Sequence, residues 1–376
     1  MNDKGPNIRI LFVGGGTGGH FYPLIAIAES LRTHAYQTTL YYAGPDEYDK
    51  DALITNGIKF VQIPSGKRRR YFSILNFFDT FKTVFGICIA LIKLLIIYPD
   101  VVMSKGGFTS VPVVVAAWLL RIPIVIHESD SVPGKANVLA SRFAQTIVVA
   151  YPEIVNLFSH PKILLLGIPI RQSLLSKPRE DAYASLGIDS ERPVILILGG
   201  SQGAEKINRL ILDSLDELLV SFTVIHQTGK SNYELCKLSA ESLVPNQSLI
   251  THYHPTPFLD GPLLNDAYHS ANVVISRAGS TSIYEIAIHG KPAILIPIPE
   301  SISHDQRTNA YAYSRTGAAI VLEESNFSDT LLSAEIGRIM SDKQLYAEMS
   351  SSALLFGKRD AAEQIKTILL EIAEQH

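Results

Sequence analysis

Short runs of apolar, mostly β-branched residues alternate with longer amphipathic segments along the whole chain. Most of these runs are apolar at every position, which is typical of strands in a parallel sheet that helices cover on both faces. The pattern predicts an α/β protein whose parallel strands are joined by right-handed helical crossovers. The predicted strands are Arg9–Val13, Thr38–Tyr42, Val101–Ser104, Ile122–Ile126, Thr146–Val149, Val194–Leu198, Phe222–Gln227, Val273–Ser276 and Ala293–Pro297.

The strand, glycine-rich turn and helix at the start of the chain occur a second time in its middle. The first copy contains Gly14–His20, and the second begins near Val194 and contains Gly199–Ala204. Each copy opens a half of the protein. Two successive Rossmann-like domains are therefore predicted, residues 1–167 and residues 168–355.

The last segment, residues 356–376, predicts a helix from Asp360 to Gln375. Asp360 is a favourable N-cap residue, and Glu363 follows three positions later. One face of this helix carries an apolar stripe made of Ile365, Ile368, Leu369 and Ile372. Because such a stripe needs a core to pack on, the helix is predicted to return to the first domain.

Composition narrows the class of protein. The chain has 376 residues, enough for two domains, and a net charge of −3, which excludes a generally basic nucleic-acid binder. Its two cysteines, Cys88 and Cys236, exclude a disulfide framework and a cysteine-based zinc site. The first residues lack the pattern of a signal peptide. The apolar part of Val84–Tyr98 is shorter than the about 20 residues of a spanning helix, so no transmembrane span is predicted.

Three glycine-rich turns lie between a predicted strand and a predicted helix: Gly14–His20, Lys105–Ser110 and Gly199–Ala204. Such turns offer backbone N–H groups and a helix N-terminus to a phosphate. The first turn matches GxGxxG, but the second strand ends at Gly44 without the acidic residue that holds a dinucleotide ribose. None of the turns has the P-loop pattern. A tight turn without a ligand is the alternative, but three such turns in two domains predict a phosphorylated donor and a phosphorylated acceptor that meet in an interdomain cleft.

A polar segment in the second domain runs from Ser276 to Glu285, from a strand end into a helix. Its backbone amides suit a diphosphate, and Glu285 suits the two hydroxyls of a ribose. The alternative is a capping box of Ser282 and Glu285 that only satisfies the helix's own N–H groups. A second polar segment, His304–Ala310, also follows a strand, at the sheet edge where α/β proteins bind ligands.

Seven motifs, in this order, resemble the MurG family of N-acetylglucosaminyltransferases over nearly the whole chain. They are GGGTGGH (14–20), KGGFTSVP (105–112), HESDSVPGKAN (127–137), GIPIR (167–171), GGSQGAEKIN (199–208), ISRAGSTSIYEIAIHGKPAILIPIP (275–299) and DQRTNA (305–310). The resemblance implies a GT-B fold, two Rossmann-like domains with parallel sheets and a cleft between them. It also implies inverting transfer without a metal ion or other cofactor.

The implied reaction moves GlcNAc from UDP-GlcNAc to lipid I (undecaprenyl-diphospho-MurNAc-peptide), forming lipid II and UDP for peptidoglycan synthesis. The implied location is the cytoplasmic face of the cell membrane, with peripheral attachment and with cell-wall synthesis proteins as further partners. Three alternatives stay open: another GT-B enzyme that glycosylates a lipid such as diacylglycerol, a UDP-GlcNAc 2-epimerase, and a nucleotide-sugar binding module without activity.

The resemblance also implies roles for individual residues. On the donor side, Arg171 and Ser201 contact the diphosphate or nucleotide, and Ser280, Thr281 and Ser282 contact the phosphates. Glu285 binds the ribose, Leu259 lies near the uracil, and Asp305 and Gln306 contact the GlcNAc hydroxyls. The remaining implied donor residues are Thr17, Gly18, Gly19 and Asp130. On the acceptor side they are Gly16, Thr17, His20, Gly106, Gly107 and Asn137. The catalytic base is His20 or Glu128, and Glu128 has the alternative role of orienting its loop.

The chain departs from the family pattern at two places. The family usually has HEQN where this chain has His127-Glu128-Ser129-Asp130, and GNP where it has Gly167-Ile168-Pro169. A carboxylate at Asp130 still accepts a hydrogen bond from a sugar hydroxyl, so Asp130 stays a candidate.

A basic run, Lys67–Arg70, precedes several aromatic residues and the apolar stretch Val84–Ile92. Cations beside an apolar helical face are typical of a helix that lies on an anionic membrane. This face, with Trp118, therefore predicts peripheral attachment to the membrane. The alternatives are a buried core helix and a solvated charge run.

Overall fold

The computed structural model describes residues 7–32, 37–66, 75–199, 205–300, 304–326 and 328–376. The chain forms two compact units, one of Met1–Gln172 with Arg359–His376 and the other of Ser173–Lys358. The first unit thus includes the whole GIPIR loop, of which the predicted boundary placed residues 168–171 in the second domain, and the last helix of the chain.

Unit 1 contains a parallel sheet of seven strands. They are β1 (Ile8–Val13), β2 (Thr38–Gly44), β3 (Lys59–Gln62), β4 (Val101–Ser104), β5 (Ile124–Glu128), β6 (Thr146–Val149) and β7 (Ile163–Leu165), in the order β3-β2-β1-β4-β5-β6-β7. The helices are α1 (Gly18–Arg32), α2 (Lys50–Thr55), α3 (Leu75–Ile97), α4 (Val111–Leu119), α5 (Lys135–Ala140) and a 3-10 helix (Pro152–Leu157). Because the strand order reverses between β1 and β4, their carboxyl ends flank the crevice where such sheets bind ligands.

Unit 2 contains a parallel sheet of six strands. They are β8 (Val194–Leu198), β9 (Thr223–Gln227), β10 (Tyr253–Thr256), β11 (Val273–Ser276), β12 (Ala293–Leu295) and β13 (Ala319–Val321), in the order β10-β9-β8-β11-β12-β13. A short helix, α6 (Gln172–Leu175), begins at the division between the units. The helices that follow are α7 (Ala182–Ser185), α8 (Glu205–Asp213), α9 (Leu215–Ser221), α10 (Tyr233–Leu243), a 3-10 helix (Leu249–His252), α11 (Gly261–Ser270), α12 (Ser280–Ile288), α13 (His304–Ser314), α14 (Asp329–Ser341) and α15 (Lys343–Phe356).

All nine predicted strands are present, and both sheets are parallel throughout, which confirms the predicted α/β class. The central strands are buried at nearly every position, as their continuous apolar runs indicated. Among the described residues, four further strands were not predicted: β3, β7, β10 and β13. These four are the edge strands of the two sheets.

The last helix of the chain, α16 (Ala361–Gln375), packs on α1 and β1 of unit 1. Its apolar stripe is buried, with Ile365 and Leu369 fully enclosed in the core on that face of the sheet. Asp360 occupies the N-cap position, but its side chain makes no capping bond to the backbone and instead accepts a hydrogen bond from Gln364.

The apolar helix α3 is longer than the sequence analysis predicted. Its part Asp79–Ile97 is long and apolar enough to cross a membrane by length and composition alone. The prediction that this apolar segment is too short for a spanning helix was therefore wrong. Ala90 and Leu94 are nevertheless fully buried in the core of unit 1, where α3 packs against α4. The opposite face of α3 is exposed. The basic run Lys67–Arg70 and the aromatic residues that follow it, up to residue 74, lie outside the described residues.

Candidate active site

The turn after β1 leads directly into α1 and positions His20 on the first turn of that helix. The Nδ1 atom of His20 lies 2.7 Å from the Thr17 hydroxyl. Thr17, Gly16 and Gly19 are exposed, and Gly18 and His20 are half-buried. The candidates of this motif therefore line one accessible turn, with an imidazole at its end.

The turn after β4 packs closely against the turn after β1. The backbone N–H of Lys105 donates to the Val13 carbonyl at 2.8 Å. A Cβ atom on Gly14 would lie 2.6 Å from the Lys105 Cβ, and one on Gly107 would lie 3.3 Å from the Gly15 carbonyl oxygen. Gly107 also has a positive φ of 80°. Two glycine turns in contact bring His20 and Lys105 into one site.

Glu128 ends β5 and is almost completely buried. Its Oε1 accepts the backbone N–H of Asp130 at 3.1 Å, and its Oε2 accepts the backbone N–H of Gly134 at 2.8 Å. The Oε2 atom also accepts the side-chain amide of Asn137 at 3.0 Å. Glu128 therefore organises the loop 129–134. Asn137, 3% exposed, supports Glu128 from beneath that loop.

Gly106 allows the turn after β4 to approach this loop. Its φ is +85°, and a Cβ atom would lie 2.7 Å from the Asn137 Oδ1. Both features require glycine. The structure thus brings Gly106, Gly107, Glu128 and Asn137 together, as the sequence analysis expected of residues in one site.

Lys105 is the most unusual residue of the site, because its side chain is 1% exposed. Its ammonium group donates to the Ser129 hydroxyl and to the Nδ1 atom of His127, the latter at 2.7 Å. The Nε2 atom of His127 lies 2.7 Å from the Gly167 carbonyl oxygen, which only accepts. His127 is therefore protonated on Nε2 and links β5 to the GIPIR loop.

The surroundings shift the protonation of these groups. Burial and the charge of Lys105 lower the pKa of His20 to about 4, against an opposing contribution from Asp130. Burial lowers the pKa of Lys105 to about 8, against the charges of Glu128 and Asp130. Burial and the charge of Asp130 raise the pKa of Glu128 to about 7, although its hydrogen bonds oppose this rise. At neutral pH His20 is thus an uncharged imidazole.

Arg171, at the end of the GIPIR loop, belongs to unit 1. Its guanidinium lies 4.7 Å from the ring centre of Tyr22 on α1. The Tyr22 hydroxyl in turn donates to Asp49 at 3.2 Å. Arg171 therefore lies beside α1, on whose first turn His20 is located.

In unit 2, the segment after β11 contains three of the predicted donor residues. The helix α12 begins at Ser280 with Gly279 as its N-cap, and Ser282 lies inside its first turn. The alternative of a Ser282–Glu285 capping box is therefore wrong. The Ser280 hydroxyl accepts the Asn309 side-chain amide at 2.9 Å, and the Thr281 hydroxyl is buried without a partner among the described residues.

The helix α13 provides the next two candidates, Asp305 and Gln306. Both are half-buried, and the Gln306 Oε1 accepts the backbone N–H of Ile298 at 3.4 Å. Since Asn309 on the same helix bonds to Ser280, α13 and the start of α12 form one continuous site.

Glu285 lies one turn into α12 and is 9% exposed. Its Oε2 accepts the hydroxyl of the fully buried Tyr268 at 3.2 Å. The Tyr268 ring is stacked on the ring of His289 at 4.6 Å, and the Nδ1 of His289 lies 2.6 Å from the Glu285 carbonyl oxygen. Tyr268 thus holds the Glu285 carboxylate, and His289 packs behind Tyr268 and contacts the Glu285 backbone.

A buried ion network stabilises the same edge of the unit 2 sheet. The carboxylate of Glu324, with 4% of its side chain exposed, forms ion pairs with Arg277 at 2.6 Å and with Lys206 at 2.5 Å. Arg277 also donates to the Ile296 carbonyl oxygen at 3.0 Å. The network therefore connects the ends of β11, β12 and β13 with the start of α8.

Leu259 and Ser201 complete the predicted set. Leu259 is buried, its N–H donates to the Gln227 side chain at 3.0 Å, and it lines a cavity of about 460 Å³ with Tyr253 and His254. Ser201 lies outside the described residues. Among those that are described, no group of three or more His, Cys, Asp or Glu side chains is arranged to hold a metal ion.

The sequence analysis missed three residues of these sites: Lys105, Tyr268 and Glu324. Lys105 stood inside a recognised motif, and a lysine directly after a buried strand was the available signal. Tyr268 and Glu324 come from segments without a motif, so only the fold brings them to the site.

Both halves of the chain match known protein families. Residues 10–149 match the glycosyltransferase family 28 N-terminal domain, and residues 194–365 match the glycosyltransferase family 28 C-terminal domain. The chain is 36% identical over 367 residues, 97% of its length, to a Bacillus cereus protein, which is covered to 99%. That protein is named UDP-N-acetylglucosamine--N-acetylmuramyl-(pentapeptide) pyrophosphoryl-undecaprenol N-acetylglucosamine transferase 2.

Two solved structures share the fold. MurG of Acinetobacter baumannii superimposes with a TM-score of 0.76 at 24% identity, over 97% of this chain and 100% of that one. A UDP-GlcNAc 2-epimerase from Neisseria meningitidis, bound to UDP-GlcNAc, superimposes with a TM-score of 0.67 at 14% identity, with coverage of 97% and 100%. At these identities the likeness concerns the fold alone.

Two parallel-sheet units of like strand order give the chain a GT-B fold, and the family 28 matches in both halves make it a glycosyltransferase of that class. Within that class, the 36% sequence identity with the Bacillus cereus protein, over 97% of this chain, shows the family. The chain belongs to the MurG family of N-acetylglucosaminyltransferases.

Proposed function

We propose that the protein transfers GlcNAc from UDP-GlcNAc to lipid I and releases lipid II and UDP, in peptidoglycan synthesis. The name of the 36% identical relatives supports GlcNAc transfer to this class of acceptor. The observation that carries the proposal is the His20 imidazole, within hydrogen-bond distance of the Thr17 hydroxyl on an exposed glycine-rich turn, beside a second glycine turn. A diphosphate-linked acceptor suits that turn, because Gly16, Thr17 and Gly19 are exposed at the start of a helix, where anions bind favourably.

In the proposed mechanism His20 is the general base. When the Nδ1–H of His20 donates to the Thr17 hydroxyl, the Nε2 atom carries a lone pair and can take the proton of the attacking sugar hydroxyl. Thr17 fixes the ring by this bond, and Gly16, Gly18 and Gly19 leave the turn open to the acceptor diphosphate. Transfer with inversion then needs a single displacement at the anomeric carbon.

Glu128 takes the positioning role in this mechanism. Both of its oxygens accept N–H groups, and those bonds hold Asp130 at the edge of the site. A carboxylate in this position orients the loop better than it removes a proton, since three of its about four lone-pair sites already accept N–H groups. Asp130 then accepts a hydroxyl of the donor or acceptor sugar.

We assign the donor to unit 2. Backbone and hydroxyl groups of Ser280, Thr281 and Ser282 would bind the diphosphate at the start of α12, where the helix dipole favours negative charge. The buried Thr281 hydroxyl without a partner supports this, because a buried polar group is normally hydrogen-bonded. Glu285 would bind the ribose, Gln306 and Asp305 the GlcNAc hydroxyls. Leu259 would bind the uracil, and Arg171 and Ser201 the departing UDP.

Peripheral attachment to the cytoplasmic face of the membrane is part of the proposal. Phe81, Phe85, Ile92 and Ile96 lie on one face of α3 and are each more than half exposed. Trp118 on the neighbouring α4 is also exposed. An apolar face of this size on a helix whose other face is buried is typical of a helix lying in the membrane interface.

The membrane proposal is tested with vesicles that contain phosphatidylglycerol. Replacing Phe85 and Ile96 by serine should lower sedimentation with the vesicles, while the same change at Leu355, 80% exposed in unit 2, should leave it unaltered. Equal binding of both variants would contradict the attachment face.

The reaction is tested by incubating the protein with labelled UDP-GlcNAc and a short-chain lipid I analogue. We expect label in a disaccharide lipid and stoichiometric UDP, both dependent on the acceptor. UDP-ManNAc without acceptor would instead support the epimerase alternative, and label on diacylglycerol would support another glycolipid enzyme.

A further inference from the structure

Tyr48 lies in the loop after β2, beside the glycine turn that ends in His20. A Cβ atom on Gly18 would lie 3.2 Å from the Tyr48 hydroxyl oxygen. Thr17, the neighbour of Gly18, is the residue whose hydroxyl lies 2.7 Å from the Nδ1 atom of His20. The phenol of Tyr48 and the imidazole of His20 therefore lie beside the same two residues of the turn.

The ring of Tyr48 is held by its neighbours, but its hydroxyl is not. The ring centre lies 4.9 Å from that of Phe21 and 6.3 Å from that of Tyr22, and both of these residues are on α1. Whereas the Tyr22 hydroxyl donates to Asp49, the Tyr48 hydroxyl has no hydrogen-bond partner in the part of the chain that the structure describes. Tyr48 is also 39% exposed. A fixed ring with an unpaired hydroxyl on an exposed residue is a group that a ligand can bind.

The backbone of Tyr48 is held in an unusual conformation. Its φ is +53°, a value that bulky residues rarely adopt and that glycine adopts without strain. The Asp46 side chain accepts the backbone N–H of Tyr48 at 3.2 Å and so fixes the conformation. The loop therefore keeps a tyrosine at an energetic cost, which agrees with a use of its side chain.

The charges of the loop indicate which part of the acceptor Tyr48 contacts. Residues 44–49, Gly-Pro-Asp-Glu-Tyr-Asp, contain three carboxylates and no lysine or arginine. Carboxylates repel a diphosphate, whereas carboxylates and phenols both form hydrogen bonds with hydroxyl groups. In the proposed mechanism the attacking sugar hydroxyl lies at His20, on the first turn of the helix against which Tyr48 packs. Tyr48 therefore suits the sugar of the acceptor better than its diphosphate.

We propose that the Tyr48 hydroxyl donates a hydrogen bond to the sugar of the diphosphate-linked acceptor. The inference rests on the proposed function, since it concerns the acceptor of that reaction. Burial and the charges of Asp49 and Asp46 raise the pKa of Tyr48, so the phenol keeps the proton that it donates. Tyr48 lies outside the seven motifs, and it adds a residue to the acceptor side of the site.

The test compares Tyr48→Phe with Tyr98→Phe as the matched control. Each change removes one hydroxyl and keeps the ring. Tyr98 is 40% exposed and also has a positive φ, of 43°. It precedes β4, however, and so lies at the opposite edge of the sheet from the glycine turns. Neither hydroxyl forms a hydrogen bond within the described ranges, so both variants should melt at the wild-type temperature.

Calorimetric titration in the absence of UDP-GlcNAc measures acceptor binding without turnover. Tyr48→Phe should raise the dissociation constant of the short-chain lipid I analogue about 3- to 10-fold, the effect of one lost hydrogen bond. Binding of the same lipid diphosphate without its sugar should be unchanged, as should binding of UDP-GlcNAc in a separate titration. Tyr98→Phe should match the wild type with all three ligands.

An unchanged dissociation constant of Tyr48→Phe for the lipid I analogue would overturn the inference. Equal weakening with the sugar-free lipid would overturn it too, because the contact would then be to the diphosphate. A lower melting temperature of Tyr48→Phe alone would show that the hydroxyl supports the fold instead. If the wild-type protein binds the analogue but transfers no GlcNAc, the proposed function fails, and the two dissociation constants still decide the role of Tyr48.

Discussion

The pH profile of kcat/KM distinguishes His20 from Glu128 as the catalytic base. Burial moves their pKa values in opposite directions, that of His20 to about 4 and that of Glu128 to about 7. A general base acts only in its unprotonated form, and kcat/KM reports the ionisation of the free enzyme. With His20 as the base, we expect kcat/KM to stay level as the pH falls from about 8 to about 5.5.

The size of the difference follows from the two pKa values. At about pH 5.5, a base with a pKa of about 4 is ~97% unprotonated, whereas one with a pKa of about 7 is only ~3% unprotonated. The two candidates therefore differ by about 30-fold in the kcat/KM expected at that pH.

The assay measures initial rates of UDP release with the lipid I analogue, at substrate concentrations far below KM and constant ionic strength. His20→Gln should lower kcat by about 100- to 10,000-fold and change the UDP-GlcNAc dissociation constant by less than about 2-fold. Glu128→Gln, the matched control, should keep the level profile at a lower rate. A near-normal kcat in His20→Gln, together with a loss of wild-type activity below about pH 7, would refute His20 as the base.

Three further predictions concern single residues. Gly106→Ala should destabilise the fold by about 2–4 kcal/mol, because of its φ of +85° and the contact of the added Cβ with Asn137. Gly57→Ala is the control: Gly57 also has a positive φ but lies in open space, so this change should cost only about 1 kcal/mol in thermal unfolding. Tyr268→Phe should raise the KM for UDP-GlcNAc a few-fold with kcat kept, and an equal effect on a 2′-deoxyuridine donor would contradict its action through Glu285. Glu324→Ala should lower the free energy of unfolding by about 3 kcal/mol, since Arg277 is left buried without its partner; an unchanged melting temperature would contradict this.

The interior of each sheet was predictable, and its edges were not. A central strand such as β4 is buried on both faces, so its sequence is an unbroken apolar run. An edge strand such as β3, Lys59–Gln62, is exposed at both ends, buried at one position only, and includes polar residues. Its sequence does not differ enough from a loop, and only the pairing with β2 makes it a strand.

The motif residues came together because the carboxyl ends of parallel strands meet at one edge of a sheet. The turns after β1 and β4, and the end of β5, are consecutive neighbours there, so their glycines and polar residues were predictable as one site. The role of each residue within the site was not predictable. Whether Glu128 removes a proton or holds a loop depends on which N–H groups point at it, and those come from residues two to nine positions later.

The direction in which a charged side chain of a motif points could not be predicted from the sequence. A lysine in a glycine-rich turn usually indicates a phosphate contact, because the ammonium is assumed to face the ligand. In this structure the ammonium of Lys105 points inward, to Ser129 and His127. The motif does not show this direction, because it depends on β5 and the loop after it, which the fold brings beside the turn after β4.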